Sequence, residues 1–426
     1  MSDQQGLPPN YFYHTLANGI ELIGQYTPSL SSISFGLQLD AAIIHEPEEK
    51  QGLAHLFEYM LFQGTKTKDA RALNEAFESL GARKGASTSL ETAMVWAQIV
   101  NTKFDATIDL FRDILLTSTF PRNELDQMRN LVLQEIRRRD DEPMGRIFEL
   151  VRAKFYQGTL LSRLMLGTNE SLQQLQQQDL RAFWQARYQP NNVLFAIAGK
   201  FEWDHVVEKM EQLFGDWQGE ALPSPEIDPH PEQSISVEFR EGQQEHIALM
   251  VPFPNYTDPD YYAAMVIAEI LGGSMASRLF VEVREKRGLV YSVSANLSGN
   301  KHIGALRIYA GTTPEQAHEC LDVILSELRK LEKDGITADE LERTKVQLKS
   351  ENVMHGEGTA ARMSLILRTW WYEHNIKTIQ EIKDAIDAVT QEQIMNVLQR
   401  FSPVAPLTIA AIGPLSQEDL IGDSLS

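Results

Sequence analysis

The chain has 426 residues, one cysteine and a formal net charge of −20, from 39 Lys and Arg against 59 Asp and Glu. At about 150 residues per domain this length predicts two or three domains, and 43% hydrophobic with 23% charged residues is a globular balance. The acidic excess argues against a nucleic-acid partner, because it repels phosphate backbones, and no window approaches the roughly 18 apolar residues of a membrane span.

The run Arg137-Arg138-Arg139 is followed by Asp140-Asp141-Glu142, which reads as a solvated helix end rather than a basic patch. Cys320 lies in the helical apolar stripe HECLDVIL and reads as a small buried hydrophobe. The first residues, MSDQQGLPPN, carry neither a positive stretch nor an apolar core of an export signal. A cytoplasmic location is the expectation, or a periplasmic one if a leader has been removed.

In chain order, residues 18–26 and 31–44 read as paired strands joined by a Pro-Ser turn. GLAHLFEYMLFQG then reads as a helix, with Leu53, Leu56, Phe57, Met60 and Leu61 at helical spacing. Another helix is expected at 69–80, a strand at AMVWAQIV, and long helices at 105–117 and 122–140. SLQQLQQQDLRAFWQARY reads as one amphipathic helix and NVLFAIAG as a buried strand. The later residues repeat this order. ISVEF and HIALMVP read as strands, 259–272 and 276–286 as helices, LVYSVSANL and ALRIYAG as strands, and 314–333 and 337–356 as long helices. More helix and a strand at LTIAAIG follow.

Pro223, Pro225, Pro229 and Pro231 crowd one short stretch, which no helix or central strand tolerates. This predicts domains at 1–220 and 235–426 with a linker at 221–234. NELDQMRNLVLQE overlays DELERTKVQLKSE, pairing Glu124 with Glu340 and Glu135 with Glu351. The expected class is therefore α+β, as two homologous α/β-sandwich domains related by internal duplication. Each would be an antiparallel-rich sheet with helices packed on one face.

His55, Glu58 and Tyr59 occupy positions i, i+3 and i+4 and so share one helix face. The pattern H-x-x-E-H in that place is an inverted zincin, in which two histidines hold zinc and the glutamate activates water. GLAHLFEYMLFQGTKT resembles the metal-site helix of the insulinase/pitrilysin family, in particular its mitochondrial-processing-peptidase-like branch. The resemblance covers nearly the whole chain. LQEIRRRDDEP resembles the family's distal-glutamate helix and places Glu135 76 residues after Tyr59. YQPNNVLFAIAGK resembles the end of the first domain, and LGGSMASRLFVEVREKRGLVYSVSA a segment of the second.

The chain departs from the family at the metal. Tyr59 stands where the second histidine belongs, and a phenol, with an ordinary pKa of about 10, is a poor neutral-pH ligand because zinc binds the anion. Met128 takes the place of an accessory glutamate, and Gly85-Ala86-Ser87-Thr88 lacks the asparagine usual beside the metal. His55, Glu58, Tyr59 and Glu135 are thus expected to form a degenerate, empty metal site. Without the resemblance, His55 would read as a satisfied core histidine, Glu58 as surface charge and Tyr59 as a half-buried aromatic.

Arg284 and Tyr291, seven residues apart across Gly288, match an Arg/Tyr pair that reaches the zinc site from the opposite domain in active relatives. Taken alone, they would read as a solvent-facing arginine and a packed strand tyrosine. The resemblance implies a catalytic role as hydrogen-bond donors to an oxyanion. It also implies a division of labour. The chain would bind no cofactor, a homologous subunit would bring the zinc, and the heterodimer would cleave unfolded peptides. Two alternatives stand beside this: a non-catalytic binding or structural homologue, and a homodimeric peptidase using Tyr59 as an atypical ligand.

Overall fold

Strands form where branched and aromatic residues alternate or run together between turn residues. In the computed structural model, which describes residues 7–422, they are β1 (Tyr11–Thr15), β2 (Glu21–Tyr26), β3 (Ser32–Leu39), β4 (Arg83–Thr88), β5 (Ala93–Val100), β6 (Val193–Gly199), β7 (Ser234–Phe239), β8 (Glu245–Phe253), β9 (Val290–Gly299), β10 (Gly304–Thr312) and β11 (Thr408–Gly413). The helices are α1 (Leu53–Met60), α2 (Ala70–Ser79), α3 (Phe104–Thr117), α4 (Arg122–Asp141), α5 (Pro143–Phe155), α6 (Asn169–Gln174), α7 (Gln177–Arg187), α8 (Trp203–Phe214), α9 (Tyr261–Gly272), α10 (Ala317–Asp334), α11 (Ala338–His355), α12 (Thr359–Glu373), α13 (Ile379–Ala388), α14 (Gln391–Arg400) and α15 (Gln417–Ile421). Residues 1–6 of the expected leader-free start lie outside the described residues.

The strands build two sheets, in the orders β1-β2-β6-β3-β5-β4 and β7-β11-β8-β10-β9. Without β1, the two orders superimpose strand for strand, β2 through β6 on β7 through β11. In each sheet one pair is parallel, β2 with β6 and β7 with β11, and the rest are antiparallel. This is a duplicated α+β fold of two sandwich domains.

Two compact units are present, and they do not follow the order of the chain. One runs up to Arg137, then from Arg163 to Glu226 and from His355 to Thr378. The other takes Arg138–Ser162, Ile227–Met354 and the chain from Ile379 on. The proline-rich stretch is without regular structure from Gln218 to Gln233, and the chain passes between units at Glu226.

Each unit therefore includes a helix from the other half of the sequence. In the first unit, α1, α3, α7 and α8 cover one face of the six-stranded sheet with a core that includes Phe35, Phe57, Phe111 and Phe195. Helices on one face do not suffice here, because β6 is buried at every position and both its faces need cover. α12 supplies that cover, packing Met363, Ile366 and Leu367 on Ile23, Leu194 and Ala196. In the second unit α5 packs on β8 and β11, and α9 on β9. α5 and α12 each follow the long helix of their repeat, so equivalent helices have been exchanged.

Local departures from the sequence reading have simple causes. The strand expected at 31–44 stops at Leu39, and a helical turn at Ile43–His45 follows. The single helix expected over 171–188 is two, broken at Leu175–Gln176, where Asp179 accepts the Gln176 N–H at 2.7 Å and starts α7 afresh. Cys320 is buried, and burial pushes its thiol up to about 12, in keeping with a packing role. Among the described residues, no helix is long and apolar enough to cross a membrane.

Candidate functional site

α1 turns its apolar residues Leu53, Leu56, Phe57 and Met60 into the core, which leaves His55, Glu58 and Tyr59 half-buried on the opposite face. Its start is fixed by Glu46, whose carboxylate accepts the N–H groups of Gly52 at 3.1 Å and Ala54 at 2.8 Å. These are helix-end donors that no carbonyl of the helix can reach. Gly52 adopts φ +87 with the Leu166 carbonyl 2.6 Å from where a Cβ would stand, so only glycine fits there. Glu46 is 4% exposed, and burial outweighs its two N–H donors to raise its carboxyl to about 8. No pattern in the sequence had pointed to it, because a cap six and eight residues upstream of the groups it accepts from obeys no helical spacing.

α4 buries Leu125, Met128, Val132 and Ile136 and thereby brings Glu135 over α1. The four expected residues meet. The His55 imidazole Nε2 lies 2.8 Å from Glu135 Oε2, Tyr59 donates to Glu135 Oε1 at 2.5 Å, and His55 Nδ1 is 3.7 Å from Glu58. The rings of His55 and Tyr59 meet edge to face at 5.4 Å. Met128 is a core residue and provides no ligand. On β4, a Cβ at Gly85 would fall 2.7 Å from the Trp96 ring across the ladder. The indole fills the space that an asparagine side chain would need.

These residues do not fit a zinc ion. Both Glu135 oxygens are taken by neighbouring side chains, and Tyr59 acts as a proton donor, whereas a phenol binds a metal as the anion. Among the described residues, no group of three or more His, Cys, Asp or Glu is arranged to hold a metal.

Arg284 and Tyr291 belong to the second unit. Arg284 lies in a π-helical turn, Phe280–Glu285, with its guanidinium over the Phe280 ring at 5.0 Å. Tyr291 is 62% exposed near the start of β9, an edge strand. Among the described residues, neither side chain has a hydrogen-bond or ion-pair partner.

Residues 22–169 match the family model described as insulinase (peptidase family M16), and residues 174–348 the model described as the peptidase M16 inactive domain. An uncharacterized zinc protease of Bacillus subtilis, YmxG, is 31% identical over 94% of this chain and 98% of its own length. Another of Streptomyces coelicolor is 29% identical over 95% of this chain and 90% of its own. The fold is shared with the peptidase M16 inactive domain from Pseudomonas fluorescens, at a TM-score of 0.89 and 23% identity over 96% of this chain and 98% of that one. A protease from Helicobacter pylori matches at 0.89 and 20% over 96% and 100%. With both halves of the family's duplicated fold present and a relative matched nearly end to end, the chain belongs to the insulinase family of M16 peptidases.

Proposed function

We propose that the chain is the non-zinc-binding subunit of a heterodimeric metallopeptidase acting on unfolded peptides, and that it lends Arg284 and Tyr291 to the active site of a homologous zinc-bearing partner. The contrast between its two sets of site residues carries this reading. His55, Tyr59 and Glu135 satisfy one another, while Arg284 and Tyr291 face solvent with side-chain donors that are unused among the described residues.

In such a pair, zinc held by the partner supplies Lewis-acid polarisation of the scissile carbonyl. Arg284 brings guanidinium N–H donors in a fixed plane, and Tyr291 brings one O–H. Both suit an oxygen that gains negative charge as the carbonyl becomes tetrahedral, where preorganised donors act most strongly. The substrate would lie extended, as a strand added to an edge of the partner's sheet. The reading of Tyr59 as an atypical ligand is disfavoured by its hydrogen bond to Glu135, which uses the proton that zinc would have to displace.

The test is to purify the chain alone and co-expressed with a homologue carrying the intact two-histidine motif, then measure zinc and peptide hydrolysis in each. The expected result is little zinc and no hydrolysis from the isolated chain, and both from the complex. Stoichiometric zinc with activity in the isolated chain would overturn the proposal.

A further inference from the structure

We propose that Thr312 is a positioning residue that sets the attitude of both Tyr291 and Arg284, an inference that rests on the role just assigned to those two side chains. Pairing between β10 and β9 runs in step from Gly304 opposite Gly299 to Gly311 opposite Ser292, after which Thr312 stands opposite Val290. Tyr291 is the extra residue of a β-bulge. A bulge interrupts the ladder and re-aims the side chain it carries.

An interrupted ladder leaves backbone groups in need of partners. Here the Leu289 carbonyl accepts the Thr312 hydroxyl at 2.5 Å, and Thr312 is fully buried, where water cannot take its place. Leu289 is tied on its other side as well. Its N–H donates to the Val283 carbonyl at 3.0 Å, and the Gly288 N–H donates to the Arg284 carbonyl at 3.0 Å. Gly288 makes this closure in the left-handed region, at φ +65. One hydroxyl on β10 therefore anchors the short segment that ends the Arg284 turn and begins the Tyr291 bulge.

Thr312→Val keeps the shape and removes the donor, leaving the Leu289 carbonyl buried without its partner. Thr312→Ser keeps the donor. The first measurement uses the full chain alone, with 3-fluorotyrosine placed at position 291 and read by fluorine NMR. Thr312→Val is expected to displace or broaden the resonance by more than its linewidth, and Thr312→Ser to leave it in place. If the valine variant does not accumulate as folded protein, Thr312→Cys replaces it with the same expected displacement, since a thiol is a poor donor.

The second measurement uses the complex with the zinc-bearing homologue. Thr312→Val should lower kcat roughly tenfold with KM little changed, within the hundredfold that a misplacement of about 1 Å costs, and Thr312→Ser should restore it. A resonance unmoved by Thr312→Val, or moved equally by Thr312→Ser, overturns the proposal. The fluorine measurement needs neither partner nor substrate. A failure of positioning is thereby kept distinct from a failure of the functional reading, which would appear instead as full activity in Tyr291→Phe.

Discussion

Tyr59 donates its phenolic proton to Glu135 across 2.5 Å, at the helical position where the family's zinc motif carries its second histidine. The same carboxylate meets His55 at 2.8 Å through its other oxygen. Three side chains that would otherwise point at a cation point at one another, and they join α1 to α4. The result is a hydrogen-bonded clamp between two helices.

Tyr59→Phe should therefore lower stability. A hydrogen bond to a charged group contributes roughly 1.5–3 kcal/mol, and solvent reaching this carboxylate reduces the expected loss to about 1 kcal/mol. The urea midpoint should fall at unchanged slope. An unshifted midpoint would mean that the clamp holds nothing together.

Tyr59→His is the complementary experiment. It removes the donor that occupies Glu135 and places an imidazole beside His55 on the same helix face. Three ligands of the types zinc prefers would then converge. Bound zinc should rise to about one per chain after dialysis, measured by elemental analysis. Zinc content equal to that of the unsubstituted chain would show that the surrounding shell, including Met128 and the Trp96 ring beside Gly85, has also closed the site.

Glu46 makes a prediction about pH. Its carboxyl is raised from an ordinary 4.5 to about 8 by burial beneath the start of α1, so the folded state holds the proton more tightly than the unfolded state. The resulting contribution to stability is complete below about 4.5 and is lost as pH climbs through about 8. Glu245, pushed up to about 7 by burial, pulls in the same direction, so the informative quantity is the difference between Glu46→Gln and the parent. The melting temperature of the parent should fall from pH 5 to pH 9 more steeply than that of Glu46→Gln. Parallel curves would show that Glu46 does not titrate in this range.

Much of this arrangement was legible in the sequence because it rests on periodicity. The apolar spacing of Leu53, Leu56, Phe57 and Met60 turns His55, Glu58 and Tyr59 to one side, and the repeated order of elements announces two like sheets. Elements without an apolar rhythm escaped. β1 was not read, and β4, RKGAST, was placed only through the family resemblance; it is a strand because β5 offers it an open edge, not because its residues favour one. α5 and α8 were unread, and the exchange of α5 and α12 depends on which sheet face lacks cover, a tertiary question with no local signal. Glu46 acts through two hydrogen bonds to backbone N–H groups six and eight residues on, and Thr312 through one across a ladder, so no motif marks them.

The pair Arg284 and Tyr291 carries the sharpest functional prediction. Both are exposed, and among the described residues their side chains have no hydrogen-bond partner, so replacing them should cost little stability. Their value should appear only when an oxyanion forms. In the complex with a zinc-bearing homologue, Tyr291→Phe and Arg284→Ala should each lower kcat on the order of a hundredfold, the usual loss of one such donor, with the partner's zinc content unchanged. A fall in zinc would place the pair in assembly of the metal site instead. A rise in KM at constant kcat would make them substrate-binding groups whose contacts are already complete in the ground state. Full activity in both variants would reduce the chain to a scaffold for its partner, and the exposed tyrosine on its bulge would need another explanation.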